Sequence, residues 1–83
     1  MADWQVYIIH CSDDSLYTGI TTDMQRRFAE HLSGKGAKYF RGRSPVEIVY
    51  QESCRDRASA SSREAAIKAL SRREKLALIG SFR

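Results

Sequence analysis

The amino-acid sequence predicts an α/β fold of the α+β type, in which a small three-stranded antiparallel sheet is flanked by helices in the order β-β-α-β-α-α. Three observations support this prediction. The stretch Val6–Ile20 has two arms of β-branched and aromatic residues around a polar turn, and a second alternating apolar stretch follows Pro45. Segments of helical composition lie between these stretches and after them. A chain of 83 residues has the length of one domain, so we predict a single domain over residues 1–83.

The first two predicted strands form a hairpin around the turn Ser12-Asp13-Asp14-Ser15, whose short polar side chains bond to nearby backbone groups. Each arm carries one tyrosine, Tyr7 or Tyr17. Because strand side chains alternate between faces, an even loop with Cys11 opposite Leu16 would place the two tyrosines on opposite faces. A three-residue loop with Ser12 opposite Leu16, or a bulge, would place them on one face. We predict that they share a face.

The segment after the hairpin predicts a helix that begins with the capping box Thr22-Asp23-Met24-Gln25 and runs to about Ser33. Gly34 can adopt the left-handed conformation that ends a helix. Arg27 and His31 lie one turn apart along one edge of the apolar stripe, so Arg27 can border a buried site. The stripe itself is predicted to consist of Met24, Phe28 and Leu32.

Residues 34–44 combine three glycines, four cations and two aromatic residues without helical or strand periodicity, which predicts an exposed loop. Cations interleaved with aromatic residues suit contacts with a nucleic acid, although such a loop can also be plain surface. The net charge of +4 favours a polyanionic partner. The predicted nucleic-acid-binding residues are Lys35, Lys38, Tyr39, Arg41 and Arg43.

The third strand and the second helix follow. Pro45 opens the strand, and Asp56 is the predicted N-cap of the helix. The inward residues of the strand are predicted to be Val46, Ile48 and Tyr50. On the helix, Glu64 falls on an inward stripe with Ala60, Ile67 and Ser71. A glutamate is almost never buried unless it is paired or bound to a metal, so Glu64 is a candidate for either role.

A short last helix is predicted from a second capping box, Ser71-Arg72-Arg73-Glu74. This helix would carry Leu76 and Ile79 inward and would stop at Gly80. It completes the predicted order of elements.

Composition excludes several classes of protein. No apolar run approaches the roughly 20 residues needed to cross a membrane, and the first residues lack the basic and apolar regions of a signal peptide. We therefore predict a cytoplasmic protein without membrane contact. Cys11 and Cys54 lie far apart and without a histidine cluster, which argues against a zinc site or a disulfide framework.

The motifs of this chain resemble those of the GIY-YIG nuclease domain in their order and spacing. The chain is most similar to the small stand-alone bacterial members of that family. Val6-Tyr7-Ile8 stands where the first motif would be, and Tyr17-Thr18-Gly19 stands where the second would be. The likeness runs from Trp4 to about Ile79. The other matching segments are Thr21-Thr22-Asp23, Arg27 and His31 on one helix, Gly-Lys-Gly-Ala-Lys-Tyr, and Arg63-Glu64.

The chain also departs from the pattern of that family. Gln5 and Val6 stand in place of Gly and Ile of the first motif, and Thr18 stands in place of Ile of the second. Family domains often carry an asparagine after the glutamate helix, but this chain contains no asparagine, and Lys75 lies in the corresponding region. This substitution puts catalytic efficiency in doubt.

The resemblance implies a metal-dependent endonuclease. Glu64 would hold a Mg²⁺ or Mn²⁺ ion, and Arg27 would bind the scissile or a neighbouring phosphate. In the family a motif tyrosine is proposed as the general base, so we predict Tyr17 as the base or base relay and Tyr7 as the residue that orients the water. His31 is the alternative base. The predicted structural residue of the site is Gly19, which would allow a close backbone approach, with a strand bulge as the alternative.

Three classes of function remain in competition. The first is an endonuclease that acts on structured or damaged DNA in repair or recombination. The second is a non-catalytic nucleic-acid-binding module on the same fold, since fold does not imply function. The third is a basic accessory protein that docks on an acidic protein partner. An inward glutamate beside an inward-edge arginine favours the enzyme.

Overall fold

A computed structural model describes residues 3–82 of the chain. Its elements follow the predicted order, β-β-α-β-α-α, with a short 3-10 helix at residues Lys38–Arg41 before the third strand. The strands are β1 (Trp4–Cys11), β2 (Leu16–Thr21) and β3 (Pro45–Cys54). The helices are α1 (Met24–Leu32), α2 (Arg57–Lys68) and α3 (Arg72–Phe82). The predicted fold class is confirmed. None of the helices between residues 3 and 82 is long and apolar enough to cross a bilayer.

The sheet is antiparallel and has the strand order β2-β1-β3, so that β1 lies in the centre. Tyr7 lies opposite Gly19, and Ile9 lies opposite Tyr17. Side chains of directly opposite residues point to the same face, and residues two apart on one strand also share a face. The register therefore places Tyr7 and Tyr17 on the same face, which confirms that prediction.

The hairpin loop lies one residue earlier than predicted. The Cys11 amide donates to the Ser15 carbonyl at 2.9 Å, so the three loop residues are Ser12, Asp13 and Asp14, and Ser12 does not oppose Leu16. Asp14 has a φ of 68°, the left-handed conformation that closes a three-residue hairpin loop. The Asp13 carboxylate accepts from both the amide and the hydroxyl of Ser15, which stabilises this turn.

The sheet separates two apolar clusters because β1 is buried on both faces. On one face, α2 and α3 cover a cluster of buried residues. Its members are Val6, Ile8, Val49, Tyr50, Ala60, Ile67 and Ile79. On the other face, α1 and the 3-10 helix cover a second cluster that contains the first motif tyrosine. Its buried members are Tyr7, Ile9, Cys11, Met24 and Phe40.

Helix α1 differs from the prediction at its start and in its buried face. Its N-cap is Asp23, whose carboxylate accepts from the Arg26 amide at 3.1 Å, and not Thr22. Gly34 ends the helix with a φ of 82°, as predicted. Leu32, predicted in the core, is 59% exposed, and His31 is buried in its place. His31 takes the inward position because it packs among aromatic rings on the site face of the sheet.

Strand β3 does not alternate as predicted. Val46 is 54% exposed, whereas Val49, predicted to face outward, is buried. The pairing with β1 shifts between Ile8, opposite Tyr50, and Ile9, opposite Ile48, so Val49 is the extra residue of a β-bulge. The bulge explains why Val49 and Tyr50, although consecutive, belong to the same apolar cluster.

The remaining elements confirm the capping predictions, but several residues lie in positions that differ from the prediction. Asp56 accepts from the Ser59 amide, and the Ser71 and Glu74 side chains cap each other's amides. Ser71 lies outside α2, so it is not part of the Glu64 stripe. Helix α3 continues through Gly80 to Phe82, and Leu76 is 48% exposed, whereas Ile79 is buried as predicted. The loop at 34–44, predicted to be exposed, buries the ring of Phe40.

Candidate active site

The centre of the candidate site is a hydrogen bond between β1 and α1. The Tyr7 hydroxyl and His31 Nε2 lie 2.9 Å apart, and both residues are almost completely buried. Tyr7 points to this face because its position on β1 places it with Ile9 and Cys11. A buried phenol and a buried imidazole each need a polar partner, and here they satisfy one another.

The second nitrogen of His31 fixes which group donates. His31 Nδ1 accepts from the Ala37 amide at 3.4 Å, so the neutral ring carries its proton on Nε2 and donates it to the Tyr7 oxygen. Burial, and then the positive charge of Arg27, lowers the pKa of His31 to about 4. His31 is therefore neutral at pH 7. The alternative role of His31 as the general base stays a prediction.

Arg27 lies on the other side of the Tyr7 hydroxyl. Its guanidinium is half-buried, pairs with Glu30 at 3.1 Å and is close enough to Tyr7 to lower the pKa of that phenol. Burial nevertheless raises the pKa of Tyr7 well above its usual range. Tyr7 therefore remains a neutral phenol, and its lack of exposure in this structure does not suit the predicted role of orienting a water.

Two glycines make the close packing around this hydrogen bond possible. A Cβ on Gly19 would lie 2.5 Å from the Tyr7 hydroxyl oxygen, and a Cβ on Gly36 would lie 2.1 Å from His31 Nδ1. The regular pairing of Gly19 with Tyr7 shows no bulge there, so the predicted close approach is correct and the bulge alternative is wrong. Gly36 was not singled out from the sequence, because its contact with His31 depends on how the loop folds back over α1.

Tyr17 comes from β2 and is half-buried, so unlike Tyr7 it reaches the surface. Its ring centroid lies 6.2 Å from that of Tyr7 and 5.4 Å from that of His31. The rings of Tyr39 and Phe40 pack on it at 5.1 and 4.9 Å. Tyr17 is thus a partly exposed member of this aromatic cluster.

Glu64 comes from α2, on the inward side between the fully buried Ala60 and Ile67. Its side chain is 23% exposed, so it is half-buried rather than enclosed, and it pairs with Lys68 at 3.3 Å. Its negative charge contributes to the raised pKa of Tyr7, after the larger effects of burial and Tyr17. The structure therefore brings Tyr7, Tyr17 and His31 together. Arg27 and Glu64 are near enough for their charges to act on the Tyr7 phenol.

The donor set suits a hard cation that takes few protein ligands. Between residues 3 and 82 no group of three or more His, Cys, Asp or Glu side chains could enclose a metal ion. Magnesium commonly binds through one or two carboxylates and keeps waters or substrate phosphate oxygens as its other ligands. Glu64, which is partly exposed, could act as such a carboxylate.

The predicted nucleic-acid-binding residues divide into two groups. Lys35, Lys38 and Arg41 are exposed, as phosphate contacts require. Arg43 and Tyr39 are half-buried and contact each other, and the Arg43 Nε lies 2.8 Å from an Asp13 carboxylate oxygen. Asp13 was missed as a site residue, since in sequence it marks only a turn.

Comparison with known proteins places this geometry in a family. The family model of the GIY-YIG catalytic domain matches residues 3–77. The UPF0213 protein DP2720 of Desulfotalea psychrophila is 57% identical over 77 residues, which are 92% of this chain and 70% of that protein. The UPF0213 protein SH2523 of Staphylococcus haemolyticus is 51% identical over 79 residues, 95% of this chain and 96% of that protein.

Two solved structures are also similar. The solution NMR structure of the UPF0213 protein BH0048 from Bacillus halodurans has 46% sequence identity and a TM-score of 0.60, covering 94% of this chain and 83% of that one. The solution NMR structure of EF2693 from E. faecalis has 36% identity and a TM-score of 0.67, covering 99% and 88%. Sequence and structure thus agree on a nuclease-type domain, and the chain belongs to the GIY-YIG family.

Proposed function

We propose that this protein is a divalent-metal-dependent endonuclease that hydrolyses DNA phosphodiester bonds, acting on structured or damaged DNA in repair or recombination as one domain. The observation that carries the proposal is that three partly exposed residues from three different elements act electrostatically on one buried phenol, that of Tyr7. These residues are Tyr17 of β2, Arg27 of α1 and Glu64 of α2. A base, a phosphate-binding cation and a metal-binding carboxylate are what phosphodiester hydrolysis needs.

Arg27 would bind the scissile phosphate. Glu30 and Tyr7 hold its guanidinium in place and leave it about one third exposed, so it can donate to a phosphate oxygen. Charge that develops on the phosphate oxygens would be stabilised by this preorganised donor. Tyr7 and His31 would then be positioning residues, because their hydrogen bond orders the buried side chains next to Arg27.

Tyr17 would act on the water that attacks phosphorus. An unperturbed tyrosine has a pKa of about 10 and is a poor base at neutral pH, so it needs a cation nearby. As a phenolate, Tyr17 would take the proton of the attacking water; as a neutral relay, it would give its own hydroxyl proton to solvent while it takes one from the water. The bond from phosphorus to the leaving oxygen breaks as the bond from the water oxygen to phosphorus forms. The departing oxygen takes up a proton from water.

Glu64 would hold the Mg²⁺ or Mn²⁺ ion, and its ion pair with exposed Lys68 would open when the ion binds. When bound, such an ion polarises the phosphate and stabilises the leaving oxygen. A partly exposed ion pair of this kind contributes only about 0–1 kcal/mol, so its opening costs little.

The experiment that tests this function compares Glu64→Gln with Lys68→Gln. Wild-type protein is incubated with branched, nicked and linear DNA, with and without Mg²⁺ or Mn²⁺. We expect Glu64→Gln to cleave on the order of 10²–10³ more slowly, with an unchanged melting temperature in metal-free buffer. Lys68→Gln removes the same ion pair but keeps the carboxylate, so it should still cleave. Cleavage by Glu64→Gln at the wild-type rate would remove the main support for the nuclease.

A non-catalytic nucleic-acid-binding module is the second candidate. It is favoured by the ion pair that already occupies Glu64 and by the absence of a larger acidic cluster in the described part of the chain. It predicts DNA binding without cleavage of any of these substrates in either metal.

A further inference from the structure

The guanidinium of Arg43 lies over the ring of Tyr39, and we call this pair the Arg43–Tyr39 stack. The guanidinium carbon lies 4.0 Å from the ring centroid. Its Nε is buried and lies 2.8 Å from Asp13 Oδ2, whereas the side chain as a whole remains 31% exposed. The carboxylate is an ion-pair partner of the guanidinium without a directed hydrogen bond to Nε, and the aromatic ring supports the guanidinium from one face.

The Arg43–Tyr39 stack lies next to the candidate catalytic residues. Tyr39 packs against Tyr17 at 5.1 Å and against Phe40 at 5.6 Å. The loop that carries Arg43 is also fixed to the hairpin, because the Ser12 amide donates to the Ser44 carbonyl and the Ser44 amide donates to the Ser12 hydroxyl, both at 2.9 Å. The stack of Arg43 on Tyr39 is therefore built into the same rigid surface as Tyr17.

The arrangement suits a nucleobase better than a phosphate. Asp13 neutralises the charge of Arg43, while the nearby cations Lys35, Lys38 and Arg41 are exposed and can contact phosphates. A delocalised guanidinium plane on an aromatic ring offers a flat surface of the kind on which bases stack. In duplex DNA neighbouring bases cover the faces of each base, so only an unpaired base can stack on Arg43 and Tyr39.

We propose that the Arg43–Tyr39 stack binds one unpaired base beside Tyr17, so that the preferred substrate is DNA with unpaired nucleotides next to the cleaved phosphate. This inference deepens the proposed function and rests on it for the location of cleavage. The binding site itself does not depend on catalysis, so it can be tested without metal.

The test measures affinity by fluorescence anisotropy in buffer with a chelator. Two labelled single strands of roughly eight nucleotides are compared, one of deoxyadenosine and one of abasic sites, which carry the same phosphates. Wild-type protein should prefer the strand with bases by about 5- to 100-fold, the effect of stacking one base. Arg43→Lys, which keeps the charge but loses the plane, and Tyr39→Leu should abolish most of this preference.

Two further variants make the result specific. Tyr39→Phe keeps the ring and should keep the preference. Lys38→Ala should weaken binding to both strands equally, as removal of a phosphate contact does. If Tyr39→Leu does not fold, Arg43→Lys, whose melting temperature is measured in parallel, still decides the question.

The outcomes separate this inference from the proposed function. A base preference that Arg43→Lys retains in full, or no preference in the wild type, would overturn the stacking site even if Glu64-dependent cleavage is observed. A preference that Arg43→Lys abolishes supports the stacking site even if no DNA is cleaved, and then the endonuclease alone is wrong.

Discussion

Replacing Gly36 by alanine tests whether the packing of the loop on α1 sets the candidate site. The new Cβ would lie 2.1 Å from His31 Nδ1, 2.9 Å from Cε1 and 3.0 Å from Cα. Rotation of the imidazole could relieve the first two contacts only by breaking the hydrogen bond to Tyr7, and the third contact is with backbone. The loop must therefore move as well.

The expected magnitude follows from these contacts. Overpacking typically costs about 1–3 kcal/mol, and leaving a buried polar group without its partner costs about 1–3 kcal/mol more. At about 4–8 °C per kcal/mol for a domain of this size, Gly36→Ala should melt at least about 8 °C below the wild type. A displaced His31 should also regain solvent, so its pKa should rise from about 4 toward its usual value.

Gly42→Ala is the matched control, because Gly42 lies in the same loop with a φ of −116° and nothing within 4 Å of a Cβ. It should change stability by less than about 0.5 kcal/mol. Thermal unfolding by circular dichroism and an NMR titration of the histidines provide the two measurements. Equal melting temperatures for the two variants, with the pKa of His31 unchanged, would refute the steric argument.

Two other predictions follow from charge. The pKa of His31 is lower in the folded protein than in the unfolded chain, so the unfolded chain binds more protons between about pH 6.5 and pH 4. The free energy of unfolding should therefore fall by up to about 3 kcal/mol as the pH is lowered through that window. Urea unfolding of wild type and His31→Gln at pH 7 and pH 4.5 checks this, and the same pH dependence in both proteins would contradict it. Neutralising the exposed loop cations should weaken DNA binding and flatten the log-log salt slope by about one for each phosphate that is no longer neutralised, whereas the same number of changes elsewhere should not. The loop set is Lys35, Lys38 and Arg41, and the control set is Arg55, Arg57 and Arg73.

Features that depend on local sequence were predictable. The stop at Gly34, the Asp56 N-cap and the reciprocal Ser71–Glu74 cap each involve residues within about one helical turn of each other, so their chemistry is visible in the sequence. The shared face of the motif tyrosines was predictable in outcome, but the three-residue loop lies one residue earlier than predicted, so that Leu16 pairs with His10 and not with Ser12.

Features that depend on tertiary contacts were not predictable. The bulge at Val49 arises from pairing with β1, a strand about 40 residues away, and it reverses the expected faces of β3. Helical periodicity predicted that Leu32 would be buried on α1, but Leu32 is exposed and His31 is buried because it packs in the aromatic cluster. The contact of Gly36 with His31 and that of Asp13 with Arg43 likewise exist only once the loop has folded over the sheet.

The pair of hydrogen bonds between Ser12 and Ser44 has a thermodynamic consequence for recognition. A basic loop that is mobile before binding must lose backbone and side-chain entropy when it closes on DNA, which lowers affinity. Here the loop is anchored at its far end by the hairpin and near its start by Gly36 against His31, so most of that ordering occurs during folding. Preorganisation of this kind makes association resemble the docking of two rigid bodies, with a smaller unfavourable entropy than a disordered basic segment of equal charge would show in calorimetry.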